Sequence, residues 1–243
     1  IKKLKEDGRY LLLKAIDDDD IGYVKFSGIL PFDINRRSFW SAEDAQGRNR
    51  VYFLSPAHLV RSAAMAQILH ERGARFDLPD AEGRLPLYTI ARRAVHRGVF
   101  PLLMNEFHAN AHYSGRARDE ISTLDGPLYD PPIFQAVRHA NTHALKGLEM
   151  LAPAKIDMNV IHNYITPLMF AVIRAEEAFE DYDRLPSPAR KLAMVRHLWI
   201  LQTLAASPCV DPAIKDYEGW SAESHATSKP VRAALLQGLA QRF

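Results

Sequence analysis

One signature recurs along this chain: a turn-forming stretch, a proline followed by an apolar residue, and a small residue one helical turn later. Thr166-Pro167-Leu168-Met169-Phe170-Ala171 carries its cleanest form. Leu85-Pro86-Leu87-Tyr88 and Pro131-Pro132-Ile133-Phe134-Gln135-Ala136 repeat it. Asp216-Tyr217-Glu218-Gly219-Trp220-Ser221-Ala222 is a weaker copy, with Ala222 in the place of proline. Weaker still are Gly8-Arg9-Tyr10-Leu11-Leu12 and Gly47-Arg48-Asn49-Arg50-Val51. With the proline position as marker, Leu11, Arg50, Pro86, Pro132, Pro167 and Ala222 stand 39, 36, 46, 35 and 55 residues apart. Such a period predicts an array of short units. One unit cannot bury its own apolar face, so stability comes from stacking neighbours.

The local chemistry fits a pair of antiparallel helices per unit. A proline suits the first helical position, where no N–H is required. Thr166 supplies a hydroxyl to cap the helix behind it. Leu87, Ile133 and Leu168 then point into the stack, and Ala91, Ala136 and Ala171 are small enough to let helices approach. Apolar residues recurring at three and four positions predict the second helices: Met65, Ile68 and Leu69; Leu102 and Leu103; Leu145, Leu148, Met150 and Leu151; Leu198, Leu201 and Leu204. Gly73 sits where a helix ends in the left-handed region, and Asp80 and Gly83 make the polar turn that follows.

In Ile68-Leu69, Gly73-Ala74, Asp80-Ala81-Glu82-Gly83 and Leu85-Pro86-Leu87-Tyr88 the chain resembles the junction between two ankyrin repeats, with Leu85 for the family's Thr and Tyr88 for its His. The resemblance implies an all-α, ankyrin-like helical repeat solenoid with short hairpin turns and loop insertions. It is expected as one domain over residues 1–243, with units near 1–45, 46–79, 80–125, 126–160, 161–210 and 211–243. The excess over the roughly 33 residues of an ankyrin unit falls at His112–Asp130 and Glu180–Pro188, which read as surface loops. The family presents a concave face built from turn tips and first helices. Carried over position by position, that face holds Asp80, Glu82, Thr89, Arg92 and Arg93, then Gln135, Arg138 and His139, then Phe170 and Arg174, and last Tyr217, Glu218 and Trp220. Aromatic and Arg side chains are the usual anchors of interfaces, which singles out Phe170, Trp220 and Arg174.

The function expected is binding of a protein or peptide partner, with no catalysis and no cofactor. Arg92, Arg93, His96 and Arg97 make a basic helix face, with Arg138 and Arg174 in later units, so an acidic protein surface is the expected complement. Charge is nearly balanced, 31 Lys+Arg against 29 Asp+Glu, and no basic run is interleaved with aromatics, so nucleic acid is not expected. No apolar run approaches the ~20 residues of a membrane helix. The single cysteine, Cys209, excludes a disulfide framework and fits a reducing compartment, so an intracellular, cytoplasmic setting is expected, with the nucleus or a host cytosol as variants. The chain opens on Ile1 rather than Met, so targeting signals ahead of it are not read from this sequence. An alternative function is a targeting module of a larger enzyme or secreted effector whose catalytic domain lies outside this chain. Another is a metal enzyme built on His108-x3-His112 and His139-x3-His143. Neither His pair has the intervening Glu of a zinc-binding helix, and both read as turns between helices. Asp17-Asp18-Asp19-Asp20 lacks the alternation of a calcium loop and reads as a solvated turn.

Overall fold

The structure, a computed structural model, describes residues 8–26, 34–43, 49–81, 83–93, 98–107, 109, 131–152 and 156–242. The chain divides into two compact units, Ile1–Tyr129 and Asp130–Phe243.

In the first unit, α1 (Gly8–Asp17) and α2 (Ile21–Phe26) flank the four-aspartate turn. Every one of these acids is engaged. Asp17 pairs with Arg93 and, at 3.2 Å, with Arg61. Asp18 pairs with Lys14. Asp19 accepts from the Ser62 hydroxyl at 2.7 Å. Asp20 accepts from the Tyr23 N–H at 2.9 Å and caps α2. An antiparallel hairpin follows, β1 (Ser38–Glu43) and β2 (Asn49–Leu54), with Ser38 opposite Leu54 and Glu43 opposite Asn49. The marker placed at Arg50 therefore lies in a strand. The run Val51-Tyr52-Phe53 is β-branched and aromatic, which suits a pleated strand and not a helix start. The true copy of the signature is Ser55-Pro56-Ala57-His58, which opens a short 3-10 helix, Pro56–Leu59. It is followed by α3 (Ala63–Glu71), α4 (Pro86–Arg92) and α5 (Val99–Asn105). The Pro56 helix packs on α4 and α3 packs on α5, so first and second helices form separate layers.

The second unit holds α6 (Pro132–Arg138), α7 (Thr142–Glu149), α8 (Pro167–Arg184), α9 (Pro188–Ala206), α10 (Ala222–His225) and α11 (Lys229–Ala240). Again α6, α8 and α10 stack in one layer and α7, α9 and α11 in the other. Thr166 caps α8 through the Met169 N–H at 3.3 Å, and Leu168, Ala171 and Val172 are buried beneath it. The crossing of α11 on α9 is close: a Cβ at Gly238 would stand 2.6 Å from the Gln202 carbonyl oxygen. The extra residues at Glu180–Pro188 are not a long loop. They lengthen both helices, leaving only Leu185, Pro186 and Ser187 between α8 and α9. Glu180 and Arg184 pair one turn apart at 3.4 Å, and Ser187 accepts from the Arg190 N–H at 3.2 Å, so helix continues to the end of one element and restarts at once. The other insertion, at His112–Asp130, lies outside the described residues, as do His108 and Glu82.

Candidate functional site

Two neighbouring turns of the second unit are held side by side by one side chain. Asn159 donates from Nδ2 to the Cys209 carbonyl at 3.0 Å, and its Oδ1 accepts from the Asp211 N–H at 2.6 Å. Downstream on the first strand of chain, His162 and Ile165 exchange backbone hydrogen bonds at 3.0 and 3.2 Å. They close a two-residue turn in which Asn163 and Tyr164 both take positive φ, 49° and 68°. Asn tolerates that region; a bulky aromatic is uncommon there. On the second turn, Lys215 and Ser221 form the matching bridge, and Gly219 supplies the positive φ of 85° that the Asp-x-x-Gly turn needs.

The outcome is an exposed aromatic face. Tyr164 is 69% exposed, Tyr217 75% and Trp220 51%, and Ile161 beside them is also exposed. The Tyr164 and Tyr217 rings meet edge to face with centroids 5.3 Å apart. The Tyr217 hydroxyl donates to Glu218 at 2.9 Å, and the Trp220 ring lies 5.5 Å from that of His225. Beneath the tip, Asp216 accepts from the N–H groups of Glu218 and Trp220 at 2.9 Å each, and its other oxygen meets His225 Nε2 at 2.8 Å. Burial alone would pull the Asp216 carboxyl up. The Trp220 N–H, His225 and the Glu218 N–H outweigh it and hold the group below its usual range.

Alongside the tips runs a second aromatic chain. Phe134 contacts the His162 ring and the Phe170 ring, both at 5.4 Å. The Arg138 guanidinium sits over Phe170 at 5.1 Å, a cation–π contact that keeps a positive charge at the surface. Arg138 and His139 are exposed, Phe170 and Arg174 half-buried, and Arg174 is paired with Glu177. His197, buried on α9, is held down to about 4 by burial first, then by the nearby charge of Arg174 and by His139. Among the described residues its Nδ1 has no hydrogen-bond partner. Gln135 is buried among the α6 core residues. His139 caps the end of α6 and His143 lies in the first turn of α7; between them Asn141 caps α7 through the Ala144 N–H at 3.1 Å. Among the described residues, no three His, Cys, Asp or Glu side chains are grouped to hold a metal ion.

The site residues of the first unit have a different character. Asp80 is buried, its Oδ2 accepting from Arg84 Nε at 2.8 Å and its Oδ1 from the Arg84 N–H at 2.9 Å. His58 braces the same turn: Nε2 is 3.0 Å from the Arg84 carbonyl and Nδ1 is 2.9 Å from Ser55 Oγ. A carbonyl only accepts, so the ring is the Nε2–H tautomer with Ser55 donating to Nδ1. Burial holds this imidazole below its ordinary range. Thr89 is half-buried and donates to the carbonyls of His58 and Pro86. Arg93 is bound to Asp17 and to the Leu59 carbonyl, with burial lowering it to about 10. Arg92 is half-buried. Spacing from the helix starts singles out Tyr217 and Trp220 but not Tyr164 or Ile161. The available signal was a pair of residues, Asn163-Tyr164, squeezed between a bridge-forming His and Ile just before Thr166-Pro167.

No protein-family model matches the chain, and no curated protein matches it in sequence. Among solved structures it is similar to an ankyrin repeat domain from Acinetobacter baumannii AYE. The identity is 17%, the coverage 96% of this chain and 98% of that one, and the TM-score 0.53. The human ASB11 ankyrin repeat domain aligns with a TM-score of 0.47 at 18% identity, over 93% of this chain and 96% of that one.

Proposed function

Starting from an ankyrin-repeat fold, which this chain has, we propose that it is a protein-binding module whose partner docks on the turn tips and first helices of the second unit. The observation that carries this reading is the exposed trio Tyr164, Tyr217 and Trp220, set on tips that Asn159 and Asp216 make rigid. Rigid aromatic side chains bury much area at little entropic cost, which is why they dominate interface energetics. Arg138 and His139 lie on the first helix of the second unit and at its end, both exposed, and they favour acidic groups on the partner. The lone Cys209 is half-buried and suits work in a reducing, intracellular compartment. Among the described residues no helix is long and apolar enough to cross a membrane.

The test uses the chain with a photo-crosslinking amino acid at position 217. A protein captured from lysate is then purified and its affinity measured. Trp220→Ala and Tyr164→Ala are each expected to weaken binding ~30-fold, the range of interface anchors, and Arg138→Glu to weaken it and reduce its salt dependence. Unchanged affinity in all three, with circular dichroism intact, removes the tips as the binding surface.

A further inference from the structure

The lengthened α8–α9 hairpin has a surface that the array does not use. From Pro188 to Arg196 every residue of α9 is exposed except half-buried Met194; the first buried one is His197. Over Glu177–Leu185 none is buried. The hairpin end therefore extends past the packed layers. Leu185, Leu192 and Val195 are exposed on it. Leu192 and Val195, three apart, share a helix face that continues to Trp199, where Lys146 Nζ sits 4.9 Å over the indole. Lys191 stands one turn before Val195 and Arg196 one turn after Leu192, so cations border the apolar stripe on both sides.

Charge on this hairpin is segregated by helix. The exposed half of α8 carries Glu177, Glu180, Asp181 and Asp183 against Arg184; α9 carries Arg190, Lys191 and Arg196 and no acid along its whole length. Two of those cations lie in the first turn of α9, where the helix macrodipole disfavours positive charge. Arg190 is tied there by donating to the Leu185 carbonyl at 2.8 Å, so it is Lys191 that stands against the local rule, and such a break points to a functional constraint. The surface that complements a basic, apolar α9 is on the same molecule, the acidic face of α8.

We propose that two copies of this chain associate through these hairpins about a two-fold axis. The α9 of each copy lies on the α8 of the other, with Leu185, Leu192 and Val195 enclosed. Lys191 and Arg196 meet Asp181 and Asp183, and the symmetry makes each contact twice. Four short helices then form a small bundle. Two helical ends of this length cover less than a standard interface of ~800 Å² per partner, so the association is expected to be weak and reversible.

The test is sedimentation equilibrium of the full chain over about two decades of concentration reaching several hundred micromolar, at low and at high salt. A monomer–dimer equilibrium is expected, weakened at least ~5-fold by high salt because it depends on ion pairs. Leu192→Glu combined with Val195→Glu should stay monomeric with an unchanged far-ultraviolet spectrum. Lys191→Glu/Arg196→Glu and Asp181→Lys/Asp183→Lys should each be monomeric alone, yet an equimolar mixture of the two should dimerise. A wild-type chain that stays monomeric throughout overturns the proposal, and binding of that monomer to anionic vesicles or to another protein reassigns the surface. A dimer that survives Leu192→Glu/Val195→Glu, or a mixture that fails to pair, also overturns it. The hairpin shares no residue with the aromatic tips, so partner binding by the monomeric variants separates this result from the proposed function.

Discussion

At the scale of single residues, the most informative comparison is between two turns of one design. Asp80 and Asp216 open Asp-x-x-Gly turns, and each carboxylate accepts from the N–H four residues on. They differ in what satisfies the second oxygen. At Asp80 the side chain of residue 84 does so, and the Arg turns inward; at Asp216 His225 does so, and the side chain of residue 220 is released to solvent. Asp80→Ala strips the buried Arg84 guanidinium of that carboxylate and should cost about 3–5 kcal/mol, read as a fall in the denaturant midpoint. A surface contact residue would shift it by less than about 0.5 kcal/mol. Tyr164 invites the opposite experiment. Its left-handed φ costs an L-residue about 1–2 kcal/mol, so Tyr164→Gly should be about 1 kcal/mol more stable than Tyr164→Ala. Equal stability of the two would place the strain elsewhere. The turn pattern in the sequence showed where tips are. It did not show which tip residue faces out, because that depends on a hydrogen-bond partner nine residues away in one copy and four in the other.

At the scale of elements, helix starts were legible where proline followed the recurring spacing: Pro86, Pro132 and Pro167 each open a helix, whereas Pro56 and Pro188 do so unannounced. The marker at Arg50 fell on a strand and the helix start at Pro56 was passed over, because a strand of Val, Tyr and Phe needs no proline whereas the helix that follows it opens on one. Leu85, in the N-cap position of α4, makes no side-chain cap. It is buried instead. Leu85→Thr restores a cap worth about 1 kcal/mol but gives up about 2 kcal/mol of apolar burial and places a hydroxyl in the core. The variant should be less stable by calorimetry; a raised Tm would show that the cap outweighs burial. The extension of α8 and α9 toward their shared turn was illegible as helix because Asp, Pro and Ser at 181–188 carry turn propensity one by one. Only the pairing of two helices face to face, α8 on α9, overrides it.

For the molecule as a whole, stability should depend on pH through its buried imidazoles. His58 and His197 are both held below the ordinary histidine value of 6.5, His197 to about 4, chiefly by burial. Neutral in the fold and protonated once unfolded, they make the unfolded chain bind more protons, so stability rises with pH. Their contribution is complete above about pH 6.5 and is lost progressively as pH falls toward about 4. The Tm should therefore decline across that window, and His197→Asn should flatten the decline; a flat wild-type profile contradicts the buried neutral rings. The acid run at the start of the chain has a consequence of another kind. Asp17 is clamped by Arg61 and by Arg93, the latter 76 residues further along. At translation rates of about 5–20 residues per second, that clamp cannot close until roughly 4–15 s after Asp17 is made. The first helices therefore spend that interval on the nascent chain without the contact that fixes them, and a chaperone acting at the ribosome would meet them in that state.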